Sequence, residues 1–137
     1  MSDAPTLPVV MTFAGTDPTG GAGIQADIET LTSMGCHVCS IITAVTVQDT
    51  EQLFSFQPMD ATLIIEQARA ALEDAFDSDP RAWTHPGLLH LYIHLMEMSP
   101  TPEVALRQAD ALRHLVPDAG HLVHMATHID VQCGDYA

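Results

Sequence analysis

The stretch Ala14-Gly15-Thr16-Asp17-Pro18-Thr19-Gly20-Gly21-Ala22-Gly23-Ile24-Gln25-Ala26-Asp27 decides the fold of the first half of this chain. The apolar run Val9-Val10-Met11-Thr12-Phe13 precedes it, and Ile24, Ile28 and Leu31 follow at helical spacing. A strand, a glycine turn and a helix bring bare backbone N–H groups to a small polar ligand. Gly35 stands where a helix C-cap belongs. Cys36 to Val47 is rich in β-branched residues and reads as a second buried strand. Strand, helix, strand over this length predicts a βαβ unit with parallel strands and a right-handed crossover. After Gln48-Asp49-Thr50, Leu53 to Phe56 reads as a short strand. Asp60 then caps a helix whose apolar stripe is Leu63, Ile64, Ala68, Ala71 and Leu72.

The character changes at Asp77-Ser78-Asp79-Pro80. Beyond it the β-branched runs stop and prolines punctuate three short helices: Gly87 to Met98 behind Pro86, Pro102 to Leu115, and about His121 to Gln132 with Gly134 as a stop. Short helices on tight loops predict antiparallel hairpins. The row Leu88, Leu91, Leu95 reads as helix core. The predicted architecture is therefore an α/β fragment over residues 1–76, followed by an all-α helical-hairpin segment over 77–137. The first segment leaves strand edges unpaired, so marginal stability or association through an edge is expected, with a second copy or another protein as partner.

Composition narrows the function classes. The 137 residues carry 18 acidic and 4 basic side chains, no lysine, and a formal charge of −14. That balance excludes nucleic acid and anionic membrane surfaces as partners and favours cations. No apolar run is long enough to span a bilayer. Met1 to Pro5 lacks the basic region of a signal peptide, and three cysteines do not build a disulfide framework, so a cytoplasmic setting is expected. Cys36 and Cys39 form a C-x-x-C that enters a strand rather than opening a helix, which is the wrong context for a redox dithiol.

Three positions of the first half are candidate ligand contacts: Gly15, Asp27 and Gln48. Gly15 ends the first strand where a side chain would block a ligand. Asp27 lies just inside the following helix. Gln48 leaves the second strand at the same edge, and ligands of open parallel sheets bind outside the carboxyl ends of the strands. Its amide offers a donor and an acceptor side by side, which suits a pyrimidine edge.

The motifs Asp17-Pro18-Thr19-Gly20-Gly21-Ala22-Gly23-Ile24-Gln25-Ala26-Asp27, Cys39-Ser40-Ile41-Ile42-Thr43-Ala44 and Gln48-Asp49-Thr50 resemble hydroxymethylpyrimidine and phosphomethylpyrimidine kinases, the thiamine-pathway members of the ribokinase-like fold. The resemblance runs from about Val9 to about Asp74. It implies a small-molecule pyrimidine held by Gly15, Asp27 and Gln48, with ATP and Mg2+ as cofactors. Asp49 and Glu29 depart from the family pattern, where asparagine and lysine are usual. The family's ATP site, anion hole and catalytic base lie in the later part of a longer chain, and their motifs do not follow here. No catalytic residue is assigned, and autonomous kinase turnover is not expected.

Seven of the eight histidines follow the composition change. His90, His94 and Glu97 stand at i, i+4 and i+7, and His121, His124 and His128 at i, i+3 and i+7. Each triplet covers about 60° of helical arc. If the two helices face each other, the six side chains form a ligand set for zinc or a neighbouring transition metal. His124-Met125-Ala126-Thr127-His128 lacks the glutamate of a metalloprotease H-E-x-x-H. The segments His85 to Glu97 and His121 to Ile129 resemble histidine-rich bacterial tetratricopeptide-repeat proteins, which implies a helical interaction module or a metal-binding one.

Overall fold

The computed structural model describes residues 7–135, so the Met1 to Pro5 reading lies outside the described residues. The chain divides into two compact units, Met1–Gln67 and Ala68–Ala137.

In the first unit β1 (Val9–Gly15) leads through the glycine turn into α1 (Gly23–Ser33), then β2 (His37–Gln48) and β3 (Leu53–Pro58). β1 pairs with β2 in parallel, Val9 against His37 through Ala14 against Ile42, with a register shift at Gly15. The βαβ reading therefore stands in its parallel pairing. β3 adds to it: it returns antiparallel on β2, Ala44 against Pro58 through Gln48 against Leu53, giving a three-stranded mixed sheet in the order β1-β2-β3. The return is built by Asp49. Its carboxylate accepts from the N–H groups of Glu51 and Gln52, while its own N–H donates to the Gln52 carbonyl. This is an Asx-type turn, and those bonds hold the Asp49 carboxyl below the usual carboxylate range.

α1 stops as its sequence directs. Gly35 adopts φ +78°, a left-handed conformation open to glycine, just beyond the cap residue Met34. Ile24 is buried but Ile28 is exposed, so the helix covers the sheet along a narrower stripe than the spacing suggested.

α2 (Ala61–Ser78) begins at Asp60, whose carboxylate accepts from the Thr62 N–H at 2.8 Å. Its buried row is Ala68, Leu72 and Phe76 rather than one starting at Leu63, which is exposed. After α2 comes a 3₁₀ turn over Pro80–Thr84, capped by Asp79 and absent from the sequence reading. Proline supplies no N–H to a longer ladder, and the short turn closes with i→i+3 bonds instead.

The second unit is helical: α3 (Pro86–Glu97), a 3₁₀ turn Pro102–Ala105, α4 (Leu106–Leu115) and α5 (Gly120–Cys133). The helix expected from Pro102 thus opens with a 3₁₀ turn. Each of α3, α4 and α5 packs on the other two. The core row of α3 is Leu89, Tyr92, Ile93 and Met96, not Leu88, Leu91 and Leu95, which are half-buried. The inward stripe is rotated by about one residue, toward α4 and α5, which pack on α3 and bury Leu112 and Met125, Ala126 and Ile129 respectively. Phe76 lies tilted against Trp83 and meets Tyr92 edge-on, with centroids at 4.9 and 5.5 Å. The Arg107 guanidinium lies 3.8 Å from the Trp83 ring centre. Arg113 bridges from α4 to the Asp130 carboxylate on α5 at 3.0 Å. Gly134, at φ +79°, ends α5 as its place in the sequence predicts. Among the described residues no helix is long and apolar enough to cross a membrane.

The two units differ in core. Among the described residues the first unit buries the apolar side chains Ile24 and Ile41, while Val45, Val47, Leu53, Phe54 and Phe56 stay exposed on its sheet. The helical unit buries eight large side chains to below 2% exposure. Burial of apolar area is the main favourable term in folding, so the first unit is expected to melt before the second. Thermal unfolding followed by far-UV circular dichroism should show two steps. Fluorescence of Trp83, the single tryptophan, should be lost only in the later one. Coincident curves from both probes would overturn this.

Candidate functional site

Two constellations carry chemistry. The first is the glycine loop. Gly15 shifts the β1–β2 register, and the Thr16 N–H donates to the Ala44 carbonyl at 2.9 Å. The Thr46 hydroxyl donates to the Thr16 carbonyl at 2.6 Å, and the Thr46 N–H donates to the Thr16 hydroxyl. These bonds pin the start of the loop to β2. The Asp17 N–H then donates to the Gln25 side-chain oxygen at 2.8 Å, tying the loop to α1. Gly23 opens α1 at φ +61°, and a Cβ there would lie 2.3 Å from the Gly15 carbonyl oxygen. Only glycine permits that approach.

Asp17 is the centre of the loop. It is buried, and its carboxylate accepts from the N–H and the hydroxyl of Thr19, both at 2.8 Å. The Thr19 N–H bond lowers its pKa most. Burial opposes the shift, and the Thr19 hydroxyl, the Gln48 side chain and the Ala22 N–H lower it further. The carboxylate stays ionised and organises the turn.

Beside it lies a cavity of about 320 Å³, lined by Asp17, Thr19 and Ala22 of the loop and by Gln48, Asp49 and Glu51 of the β2–β3 turn, among others. Its size is that of a small-ligand site. Of the three positions singled out in the sequence, Gln48 lines this cavity. Gly15 sits beneath the loop against Gly23, and Asp27 is half-buried on α1. Asp17 and the Asp49 turn were missed as site features. Their signal was present in Asp17-Pro18-Thr19 and Asp49-Thr50-Glu51, where an aspartate followed by turn residues marks a side chain that bonds its own backbone.

The second constellation is the histidine face. α3 and α5 pack so that both triplets lie along one rim, in a continuous chain of contacts. The Nε2 atoms of His90 and His121 are 3.2 Å apart. The His90 and His94 rings meet edge-on with centroids at 4.6 Å. His94 Nδ1 bonds one Glu97 carboxylate oxygen at 2.7 Å, and His128 Nδ1 bonds the other. His128 Nε2 is 3.2 Å from His124 Nε2. Each of His90, His94 and His121 offers one ring nitrogen within 4.8 Å of the others. Burial, followed by the neighbouring His94 and His121, holds the His90 imidazole below its ordinary pKa. Burial pushes the Glu97 carboxyl up, but its bonds to His94 and His128 outweigh that and hold it low. Cys36, Cys39 and Cys133 are free thiols, and burial pushes Cys39 up.

The parallel β1–α1–β2 unit carries its cavity at the carboxyl ends of those strands, the edge where open α/β sheets bind ligands. The family described as phosphomethylpyrimidine kinase matches residues 17–78. The hydroxymethylpyrimidine/phosphomethylpyrimidine kinase of Mycobacterium leprae (strain TN) is 43% identical over 65 residues, which is 47% of this chain and 23% of that protein. The enzyme of the same name from Escherichia coli (strain K12) is 41% identical over 64 residues, 47% of this chain and 24% of that protein. The match to these relatives thus spans about a quarter of their length. The crystal structure of the phosphomethylpyrimidine kinase of Clostridium difficile 630 superposes on 93% of this chain and 70% of its own, with a TM-score of 0.50 at 24% identity, a likeness of fold. The N-terminal region of this chain is therefore kinase-like.

Proposed function

We propose that the N-terminal unit is the pyrimidine-recognising part of a hydroxymethylpyrimidine or phosphomethylpyrimidine kinase of thiamine biosynthesis, acting in the cytoplasm. The observation that carries this reading is the 320 Å³ cavity, which places the Gln48 amide beside Asp17 at the carboxyl ends of the strands, inside the matched segment. Gln48 reads the ring edge, while Gly15 and Asp27 hold the loop and helix around it.

A kinase implies ATP and Mg2+. The cavity does not fit a triphosphate: its side chains bring the carboxylates of Asp17, Asp49 and Glu51 and no cation. Phosphoryl transfer needs positive charge positioned on the transferring group, so no transfer step is assigned to this chain. Segment 77–137 serves as a tetratricopeptide-like helical module, a reading that rests on the α3, α4 and α5 packing and on the sequence motifs. The exposed Val45, Val47, Phe54 and Phe56 favour a second copy or a protein partner on the sheet.

Calorimetric titration of the full chain with hydroxymethylpyrimidine tests the reading. Binding is expected, and Gln48→Ala should weaken it roughly tenfold or more, because a lost amide pair leaves the ring edge unsatisfied. With ATP and Mg2+ added, no phosphorylated pyrimidine should accumulate. Absence of binding, or equal binding by Gln48→Ala, would overturn the pyrimidine site. Turnover that Gln48→Ala abolishes would show that the transfer machinery is present after all.

A further inference from the structure

We propose that His90, His94 and His121 form a binding site for one divalent transition cation of the zinc type, with Glu97 as the carboxylate that orients His94 from behind. This site lies on the helical unit and is independent of the pyrimidine reading.

The geometry of the nitrogens comes first. Zn–N bonds of about 2.0–2.1 Å at tetrahedral angles hold ligand nitrogens about 3.3 Å apart. His90 Nε2 and His121 Nε2 already stand 3.2 Å apart. A ring nitrogen of His94 lies within 4.8 Å of one from each of them, so a side-chain rotation brings the set to ligand distance. Without a cation, a 3.2 Å contact between two imidazoles is a shared proton in a single hydrogen bond. A metal replaces that proton and uses both lone pairs.

Orientation comes second. The Nδ1–H of His94 donates to Glu97, which fixes its tautomer and leaves Nε2 as the lone-pair atom. A carboxylate behind a ligating imidazole is the usual support of a metal histidine. Glu97 is itself fixed by His128 on its second oxygen, and its main-chain carbonyl accepts from Gln132 on α5 at 2.8 Å. The ligands come from two packed helices, so the site is held by the α3–α5 contact rather than by a loop.

The donor set selects the cation. Three imidazoles suit zinc, copper, nickel and cobalt and are poor ligands for Mg2+ or Ca2+. Three protein ligands leave a fourth position for water, and His121 is exposed, so solvent reaches it. The net charge of −14 draws cations to the surface. His124 and His128, paired on the far side of Glu97, stand outside the three-histidine set.

The test is a titration of the full chain, free of any histidine tag, with Co2+ followed by displacement with Zn2+. The expected result is a ligand-field absorption band typical of tetrahedral Co2+, saturating at one equivalent and removed by Zn2+. Mg2+ should neither produce nor displace it. His121→Ala should weaken binding at least about tenfold, and Glu97→Gln should weaken it by roughly 10–100-fold, as loss of such an orienting carboxylate does. His124→Ala should change it less than about threefold. Trp83 fluorescence and circular dichroism verify that each variant is folded, and His121→Asn replaces His121→Ala if the latter is not. A missing Co2+ band overturns the proposal. So does binding unaffected by His121→Ala, or binding weakened equally by His121→Ala and His124→Ala.

Discussion

Gly23→Ala is expected to unfold the N-terminal unit at temperatures where the helical unit stays intact. The added Cβ would sit 2.3 Å from the Gly15 carbonyl oxygen and 3.4 Å from the Asp17 nitrogen. The first distance is far inside contact, and the atom it meets is backbone, which cannot rotate away. The residue also holds φ +61°, where a side chain costs about 1–2 kcal/mol in its own right. Clash and conformation together should exceed about 2 kcal/mol, the range reserved for special backbone positions and disrupted packing. A unit whose buried apolar side chains, among the described residues, are Ile24 and Ile41 has little with which to absorb that loss. Far-UV circular dichroism should therefore lose its earlier step at ambient temperature, and the proposed pyrimidine binding should go with it. Trp83 fluorescence should keep its wild-type transition. A wild-type first transition in Gly23→Ala would show that the loop relaxes freely, and the account of the turn would fall. Gly35→Ala is the control: it has the same sign of φ but nothing within 4 Å, so only the conformational cost remains.

The contrast between those two glycines shows what sequence could and could not supply. The turn chemistry around Gly15 to Gly23, the stops at Gly35 and Gly134, and the starts at Asp60 and Pro86 were legible because each depends on one or two neighbouring residues. The parallel pairing of β1 with β2 followed from an 11-residue helix between two apolar runs. Which face of a helix is inward depends on partners distant in sequence. Leu88, Leu91 and Leu95 fit an apolar stripe as well as Leu89, Tyr92, Ile93 and Met96 do, and only packing against α4 and α5 chooses between them. The same holds at the sites. Helical spacing aligned each histidine triplet within its own helix, but the placing of His90 against His121, and of Glu97 between His94 and His128, is set by how α3 meets α5. Asp17 carries a turn signal in Asp17-Pro18-Thr19, but its burial and its place beside Gln48 depend on how the loop meets β2, which no local pattern encodes.

The helical unit has its own decisive residue, Tyr92. Its ring is fully buried among the core side chains, edge-on to Phe76, and its hydroxyl donates to Glu73 at 2.7 Å. Arg69 holds the same Glu73 oxygen at 2.7 Å. Tyr92→Ala removes a buried ring and leaves a cavity, a change that costs about 3–5 kcal/mol for large aromatics, and should melt the helical unit first, reversing the order of the two steps. Tyr92→Phe keeps the ring and removes the hydroxyl. Glu73 is partly exposed and retains Arg69, so the cost should fall to about 1 kcal/mol. The pH dependence separates the hydroxyl from the ring. Burial raises the Tyr92 pKa, and its bond to the Glu73 carboxylate and the charge of that group raise it further, well above the ordinary value. A folded-state pKa above the unfolded one contributes stability that is complete below the unfolded value of about 10 and is lost as pH rises through the interval towards the folded one. Wild type should therefore lose helical-unit stability progressively above about pH 10. Tyr92→Phe should lack that alkaline limb, and its acid limb should be shallower, because one of the bonds that lower the Glu73 pKa is gone. Glu73 has a folded pKa below its ordinary value, because its bonds to Tyr92 and Arg69 outweigh a burial effect of opposite sign. Its contribution is present above the ordinary carboxylate pKa and is lost as pH falls through the lower folded value. Urea unfolding of both proteins, followed by Trp83 fluorescence across the alkaline range, checks this. An alkaline limb of equal depth in Tyr92→Phe would place its origin elsewhere, and the Tyr92–Glu73 bond would then carry none of it.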